Sequence, residues 1–111
     1  MGNQTKLKTR PPVAYIVEHT LGCKWMFSIL CLLRDGINRP GTIARVIEGL
    51  TNKVLNEQLA KLVSFGIVSK TVYAQIPPRV EYQLTEFGLR FIKILDTIDE
   101  LEEFLHTPSE K

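Results

Sequence analysis

The apolar and polar positions of this chain keep helical spacing through residues 11–65, alternate between residues 67 and 84, and return to helical spacing behind Thr85. Pro11-Pro12 suits a helix start, so residues 13–21 read as a first short helix closed by Gly22. Lys24–Arg34 is apolar on nearly every side (Trp25, Met26, Phe27, Ile29, Leu30, Leu32, Leu33), which marks a buried helix, and Asp35-Gly36 supplies the turn after it. A third helix is predicted over 42–49, with Thr42 as N-cap and Ile43, Val46 and Ile47 facing inward. Leu50-Thr51 reads as a turn, and a fourth helix runs over 52–65 behind Thr51 as N-cap, stopped by Gly66. Within it Leu55, Leu59 and Leu62 fall at i, i+4 and i+7, one stripe that must face the core. Lys53, Asn56, Glu57 and Ala60 occupy the opposite face, with Lys61 to one side.

The alternating stretch holds two β-prone runs, 67–76 and 79–84. Val72 and Ala74 alternate with Thr71 and Tyr73, and Val80 and Tyr82 with Glu81 and Gln83, the pattern of a sheet with one wet face. Pro77-Pro78 cannot donate to a ladder and belongs at the tip or edge. A hairpin held between two helices, behind two helices with a short joint, is the outline of a winged helix-turn-helix. The predicted fold is therefore mainly α with a small β-hairpin (α+β). That architecture lays one helix in the DNA major groove and a hairpin along the neighbouring backbone.

Composition adds limits. With 44% hydrophobic and 23% charged residues, the 111-residue chain is expected to fold as one domain over 11–106. Residues 1–10 are expected to be a flexible basic arm, and 107–111 a disordered tail. The longest apolar run, 25–33, is far short of the roughly 18 residues that span a bilayer. MGNQTKLKTR lacks the apolar region of a signal peptide, so a cytoplasmic protein with no membrane partner is expected. The net charge of +2 hides an asymmetry: residues 1–95 carry 13 Lys/Arg against 6 Asp/Glu, and residues 96–111 carry 1 Lys against 6 acids. Either a basic body meets phosphates while the acidic end faces away, or those acids are simply the solvated face of a last helix.

Groove-reading helices use polar residues near their N-terminal end, which points at base edges. Asn52, Lys53 and Asn56 are the candidate base contacts, with Thr51 at the cap and Lys61 and Arg45 nearer phosphates. Arg79, where the hairpin turns back, is placed for a phosphate or for a cross-strand ion pair with Glu81. Each of these is otherwise a solvated surface residue. No enzyme is indicated. The chain has no glycine-rich phosphate loop and no paired carboxylates in its body, and its two histidines, His19 and His106, read as surface residues. No cofactor or metal is expected, since Cys23 and Cys31 stand in helical surroundings with no His or Cys cluster. Cys31 reads as an inert core residue. Cys23, beside Lys24 and close to a helix start, is a possible redox site, because positive potential favours a thiolate. The rival function is a winged helix used for protein–protein interaction. The Asn/Lys face of the fourth helix disfavours it, since docking faces more often show aromatics.

Three segments, GCKW at 22–25, TNKVLNEQLAKLVSFGIV at 51–68 and VYAQIPPRVEYQLTEFG at 72–88, resemble the HxlR-type family of bacterial winged-helix transcription regulators. The resemblance covers roughly residues 13–105, and the Pro-Pro-Arg-Val-Glu-Tyr-x-Leu-Thr run with its downstream glycine is its most specific part. It implies double-stranded DNA as partner, a near-palindromic operator and a homodimer formed through the first and last helices. The counterparts here are Val13 and Ile16 in the first helix and Phe91, Leu95, Ile98, Leu101 and Leu105 in the last. Independently, the stripe from Phe87 to Leu105 is longer than a domain this small needs to cover. Several regulators of this kind carry a Cys-Pro pair ahead of the first helix, and some sense oxidants with it. Here Pro11-Pro12 holds that place, and Cys23 stands where the family more often has glycine.

Overall fold

The computed structural model describes residues 11–106. The expected basic arm at 1–10 and the expected disordered tail at 107–111 lie outside them. In chain order the elements are α1 (Val13–Gly22), α2 (Lys24–Arg34), α3 (Pro40–Val46), α4 (Asn52–Ser64), β1 (Val68–Tyr73), β2 (Arg79–Leu84) and α5 (Glu86–Leu105). The two strands form one antiparallel hairpin, with Val68 opposite Leu84 and Tyr73 opposite Arg79.

As its composition predicts, α2 is the centre of the core. Met26, Ile29, Leu30 and Leu33 are buried, and the helix touches α1, α4, β2 and α5. Leu55, Leu59 and Leu62 from α4, Ile43 from α3, Ile67 and Tyr82 from the hairpin, and Phe91 and Leu95 from α5 close around it. Each buried Leu or Ile stabilises by roughly 1.5–3 kcal/mol, so this shared core sets how the outer elements stand. Among the described residues no single helix is long and apolar enough to cross a membrane, and α1 and α2 meet at a 100° bend.

The larger departures from the expected boundaries fall in the third helix, the turn after it and the first strand. The third helix starts at Pro40 rather than Thr42, because Pro in the first turn has a helical φ already set and no N–H to leave unpaired. Thr42 therefore lies inside the helix, and its Oγ1 is 3.4 Å from Arg45 Nη2. The same helix ends at Val46, and the turn is longer than Leu50-Thr51, running from Ile47 to Thr51 through Gly49 at φ +86°. With the register moved, Val46 is 53% exposed rather than inward. The first strand is shorter than 67–76: beyond Tyr73 the chain turns towards Pro77-Pro78, and residues 74–78 have no ladder partner. The wet-face alternation fades towards the tip for the same reason, with Tyr82 buried near the body while Val72 is 58% exposed on the projecting end.

A compact joint fixes α5 against the end of α4. Thr85 N-caps α5, its Oγ1 accepting from Gly88 N at 2.9 Å. The same hydroxyl lies 2.6 Å from Gly66 O and 3.2 Å from Ile67 O, and Thr85 N donates to Ile67 O at 3.0 Å. A Cβ on Gly88 would run into that Ile67 carbonyl oxygen, so only glycine lets the helix sit this close. This is the physical content of the Leu84-Thr85-x-x-Gly88 run. At the other end of the body, Arg34 Nη1 reaches Asp96 Oδ1 at 2.9 Å and Asp99 Oδ2 at 3.0 Å, tying α5 to α2. Two of the acids in the negatively charged end are therefore structural and neither simply solvated nor simply turned away.

Candidate nucleic-acid interface

Helices α3 and α4 form the helix-turn-helix, and α4 is divided sharply into two faces. Its leucine stripe is buried, while Asn52, Lys53, Asn56, Glu57, Ala60 and Lys61 are all exposed. Thr51 caps the helix as predicted, its side chain accepting from Val54 N at 3.2 Å. That cap occupies one of the free N-terminal amides and fixes where the helix begins. Asn52 and Lys53 stand in the first turn and Asn56 in the second, so three polar side chains share the end that a groove-reading helix points at base edges. Arg45 is exposed near the end of α3, and Lys61 lies in the last turn of α4.

The outer part of the hairpin carries more charge chemistry than the sequence suggests. Arg79 opens β2, and its guanidinium stacks over the Tyr73 ring across the hairpin at 4.1 Å. Arg79 Nε is 3.4 Å from Glu81 Oε2, so the ion pair expected as the alternative to a phosphate contact is present, but within β2 rather than across the hairpin. The same Nε is buried with no aligned hydrogen bond, so the contact is one of charge rather than of geometry. Arg39, at the N-cap of α3, reaches the same Glu81 oxygen with its Nε at 3.5 Å. The loop ahead of α3 is joined to the outer edge of β2 by Tyr82 N donating to Asn38 O at 3.0 Å. Arg39 was not among the predicted site residues. The signal for it was Pro40: a helix starting there puts Arg39 at the cap, beside the wing.

Residues 20–109 match the HxlR-like helix-turn-helix family. The chain belongs to that family. It is 41% identical over 85 residues to the uncharacterised HTH-type transcriptional regulator YtcD of Bacillus subtilis, an overlap covering 74% of this chain and 68% of YtcD. Among solved structures, a transcriptional regulator of the MarR family from Enterococcus faecalis V583 superposes with a TM-score of 0.74 at 29% identity, over 84% of each chain. The reduced form of the redox regulator HypR superposes with a TM-score of 0.73 at 33% identity, over 83% of this chain and 91% of HypR. The fold is thus the winged helix-turn-helix of this regulator class, and transcription regulation is its function class.

Of the positions that the HxlR-type resemblance pointed to for dimer contact, the structure separates two groups. Ile16, Phe91 and Leu95 are buried inside the single chain and belong to its own core. Val13 is 53% exposed, Leu101 59% and Leu105 74%, Ile98 is half-buried, and Phe104, outside the predicted set, is 69% exposed. The terminal helices of this HxlR-like chain therefore do carry an uncovered apolar surface, on α5 beyond the Arg34 clasp. His19 differs from expectation: it is half-buried, 5.9 Å from the Tyr15 ring and 5.5 Å from Phe65 in an aromatic cluster between α1 and the end of α4. His106 is exposed beside Glu102.

Both cysteines are free thiols and half-buried. Burial pushes the Cys31 thiol above its ordinary value. Cys23 joins α1 to α2 and contacts α4, its Sγ lying 3.5 Å from Gln58 Oε1. That link between the α1–α2 joint and α4 had no signal in the spacing, because it depends on how the helices cross. Among the described residues no group of three or more His, Cys, Asp or Glu could hold a metal ion.

Proposed function

We propose that this chain is a cytoplasmic, sequence-specific DNA-binding regulator that acts as a homodimer on a near-palindromic operator. The observation that carries the proposal is the two-faced α4, with its leucines locked in the core and Asn52, Lys53 and Asn56 exposed together at its N-terminal end. In this account those three side chains read base edges, with Thr51 fixing the helix start. Arg45 and Lys61 meet phosphates to either side, and Arg79 meets the backbone beneath the wing. Phosphate contacts supply most of the affinity, and the groove residues choose the site. The exposed Leu101, Phe104 and Leu105 on α5, and Val13 on α1, support the dimer. A two-fold pair would set two α4 helices about one DNA turn, ~34 Å, apart.

The test has two parts. Lys53→Ala and Asn56→Ala should weaken specific binding without moving the unfolding midpoint, and unchanged affinity in both would remove α4 as the reading helix. Leu101→Asp with Leu105→Asp should turn a dimer into a monomer in sedimentation equilibrium, whereas an unaltered chain that is already monomeric would refute the homodimer. A second reading, thiol-based control through Cys23, is favoured by one contact, Cys23 Sγ on Gln58 of α4. It predicts that an oxidant changes DNA affinity in the unaltered chain and not in Cys23→Ser.

A further inference from the structure

The Glu81 carboxylate in the middle of β2 holds two arginines, Arg39 from the N-cap of α3 and Arg79 from the loop end of the same strand. Its Oε2 lies 3.5 Å from Arg39 Nε and 3.4 Å from Arg79 Nε, and its side chain is only 14% exposed against 55% for Arg39 and 35% for Arg79. The acid is thus the sheltered member and the cations are the outer ones. In each pair Nε is the atom nearest the carboxylate, held by charge without an aligned hydrogen bond, and the Nη amino groups have no hydrogen-bond partner among the described residues. One carboxylate facing two guanidiniums leaves one positive charge uncompensated. The two cations are also held close against their mutual repulsion, their Nε atoms within about 7 Å through the shared oxygen. Tyr73 under Arg79 restricts that side chain further, and the Tyr82–Asn38 bond fixes the backbone beside Arg39. An open groove lined by Gly36, Ile37, Asn38, Arg39 and Thr42 adjoins the pair.

A guanidinium held by charge beside a carboxylate, with its amino groups free of hydrogen bonds, is the form that takes a phosphate by paired N–H donors. We infer that Arg39 and Arg79 together form a clamp for a DNA backbone phosphate along the outer edge of the wing, with Glu81 as the positioning residue that holds both. The clamp rests on the DNA-binding account above and adds to it a second arginine and a role for an acid. An acid next to DNA ordinarily weakens binding by repulsion. Here removing it also frees two long side chains that must be ordered again on binding.

The two effects have opposite signs, which makes the test decisive. Affinity for the duplex upstream of its own coding region, against bulk genomic fragments, is measured by fluorescence anisotropy across a salt series for the unaltered protein, Glu81→Gln, Arg39→Ala, Arg39→Lys and Arg39→Ala with Glu81→Gln. Glu81→Gln should bind roughly three- to tenfold more weakly, the size of an ordering cost for one or two long side chains, although the protein has lost a negative charge. Arg39→Ala should flatten the log affinity–log salt slope by about two, one for each subunit of the dimer. Arg39→Lys should lose nearly as much affinity as Arg39→Ala, because an ammonium has no edge to share between Glu81 and a phosphate. In the Arg39→Ala background the Glu81→Gln effect should shrink. Glu81→Gln binding as tightly as the unaltered chain, or more tightly, overturns the clamp while leaving DNA binding intact. An unaltered chain that fails to bind any duplex at low salt overturns the DNA-binding account and the clamp with it.

Discussion

Replacing Gly88 by alanine should destabilise this protein, although the same change inside a helix is ordinarily favourable by ~0.5–1 kcal/mol. The reason lies at the start of α5. An added Cβ would overlap the Ile67 carbonyl oxygen and also come within 3.0 Å of Ile67 C and 3.2 Å of Leu84 Cδ2. The carbonyl cannot swing away freely, because Thr85 N and Thr85 Oγ1 both engage it. The first turn of α5 must therefore lift off the end of α4. Forced overpacking costs about 1–3 kcal/mol, and hydrogen bonds lost around Thr85 add about 1 kcal/mol each. After subtracting the helix-propensity gain, a net loss of about 2–4 kcal/mol remains. On the scale of 4–8 °C per kcal/mol for a domain of this size, that lowers Tm by about 10–25 °C. Urea unfolding followed by circular dichroism, at matched protein concentration so that any association stays constant, measures it. An unchanged or raised midpoint would refute the close approach and the joint built on it.

Three further outcomes follow from other contacts. Thr85→Ala should cost about 2 kcal/mol, combining a lost cap with an unpaired Gly66 carbonyl, while Thr85→Ser should retain most of the stability; equal losses in both would show that the hydroxyl is not the active group. Arg34→Ala should cost about 1 kcal/mol at low salt and less near 1 M, checked by denaturation at both, because its partners Asp96 and Asp99 are half exposed to screening. In a Cys23→Ser background, Cys31 should react with a disulfide reagent at neutral pH more slowly than free cysteine, with the rate rising as pH is raised, since burial disfavours its thiolate. A rate above that of free cysteine would contradict this.

Much of this fold is written in local pattern. Lys24–Arg34 appears with the boundaries its apolar run predicts, and the Leu55, Leu59 and Leu62 stripe fixes which face of α4 is left outside. Thr51 and Thr85 cap the helices they precede because a hydroxyl there meets free amides, a rule that needs no tertiary information. Where expectation and structure part, the deciding fact is non-local or rests on choosing between two local signals. Thr42 has the chemistry of a cap, but Pro40 two residues earlier is the stronger start, and with the register moved Val46 is exposed. Ile16, Phe91 and Leu95 fit an intermolecular stripe and an internal core equally well in sequence, and only the packing of α1, α2 and α5 separates them. The Arg39–Glu81–Arg79 cluster joins positions some forty residues apart, so spacing could suggest only its Arg79–Glu81 half.

The central claim, that α4 and the wing dock on DNA, is tested most directly by one titration. Fluorescence anisotropy of the purified protein is recorded with the duplex upstream of its own coding region and with bulk genomic fragments, at salt from about 50 to 200 mM. A dimer covering about 6–10 phosphates should lose on the order of a thousandfold or more in affinity across that range, and the upstream duplex should remain bound after the bulk signal has gone. Absence of binding to either DNA at the lowest salt would contradict the account and favour the protein-interaction use of the same fold.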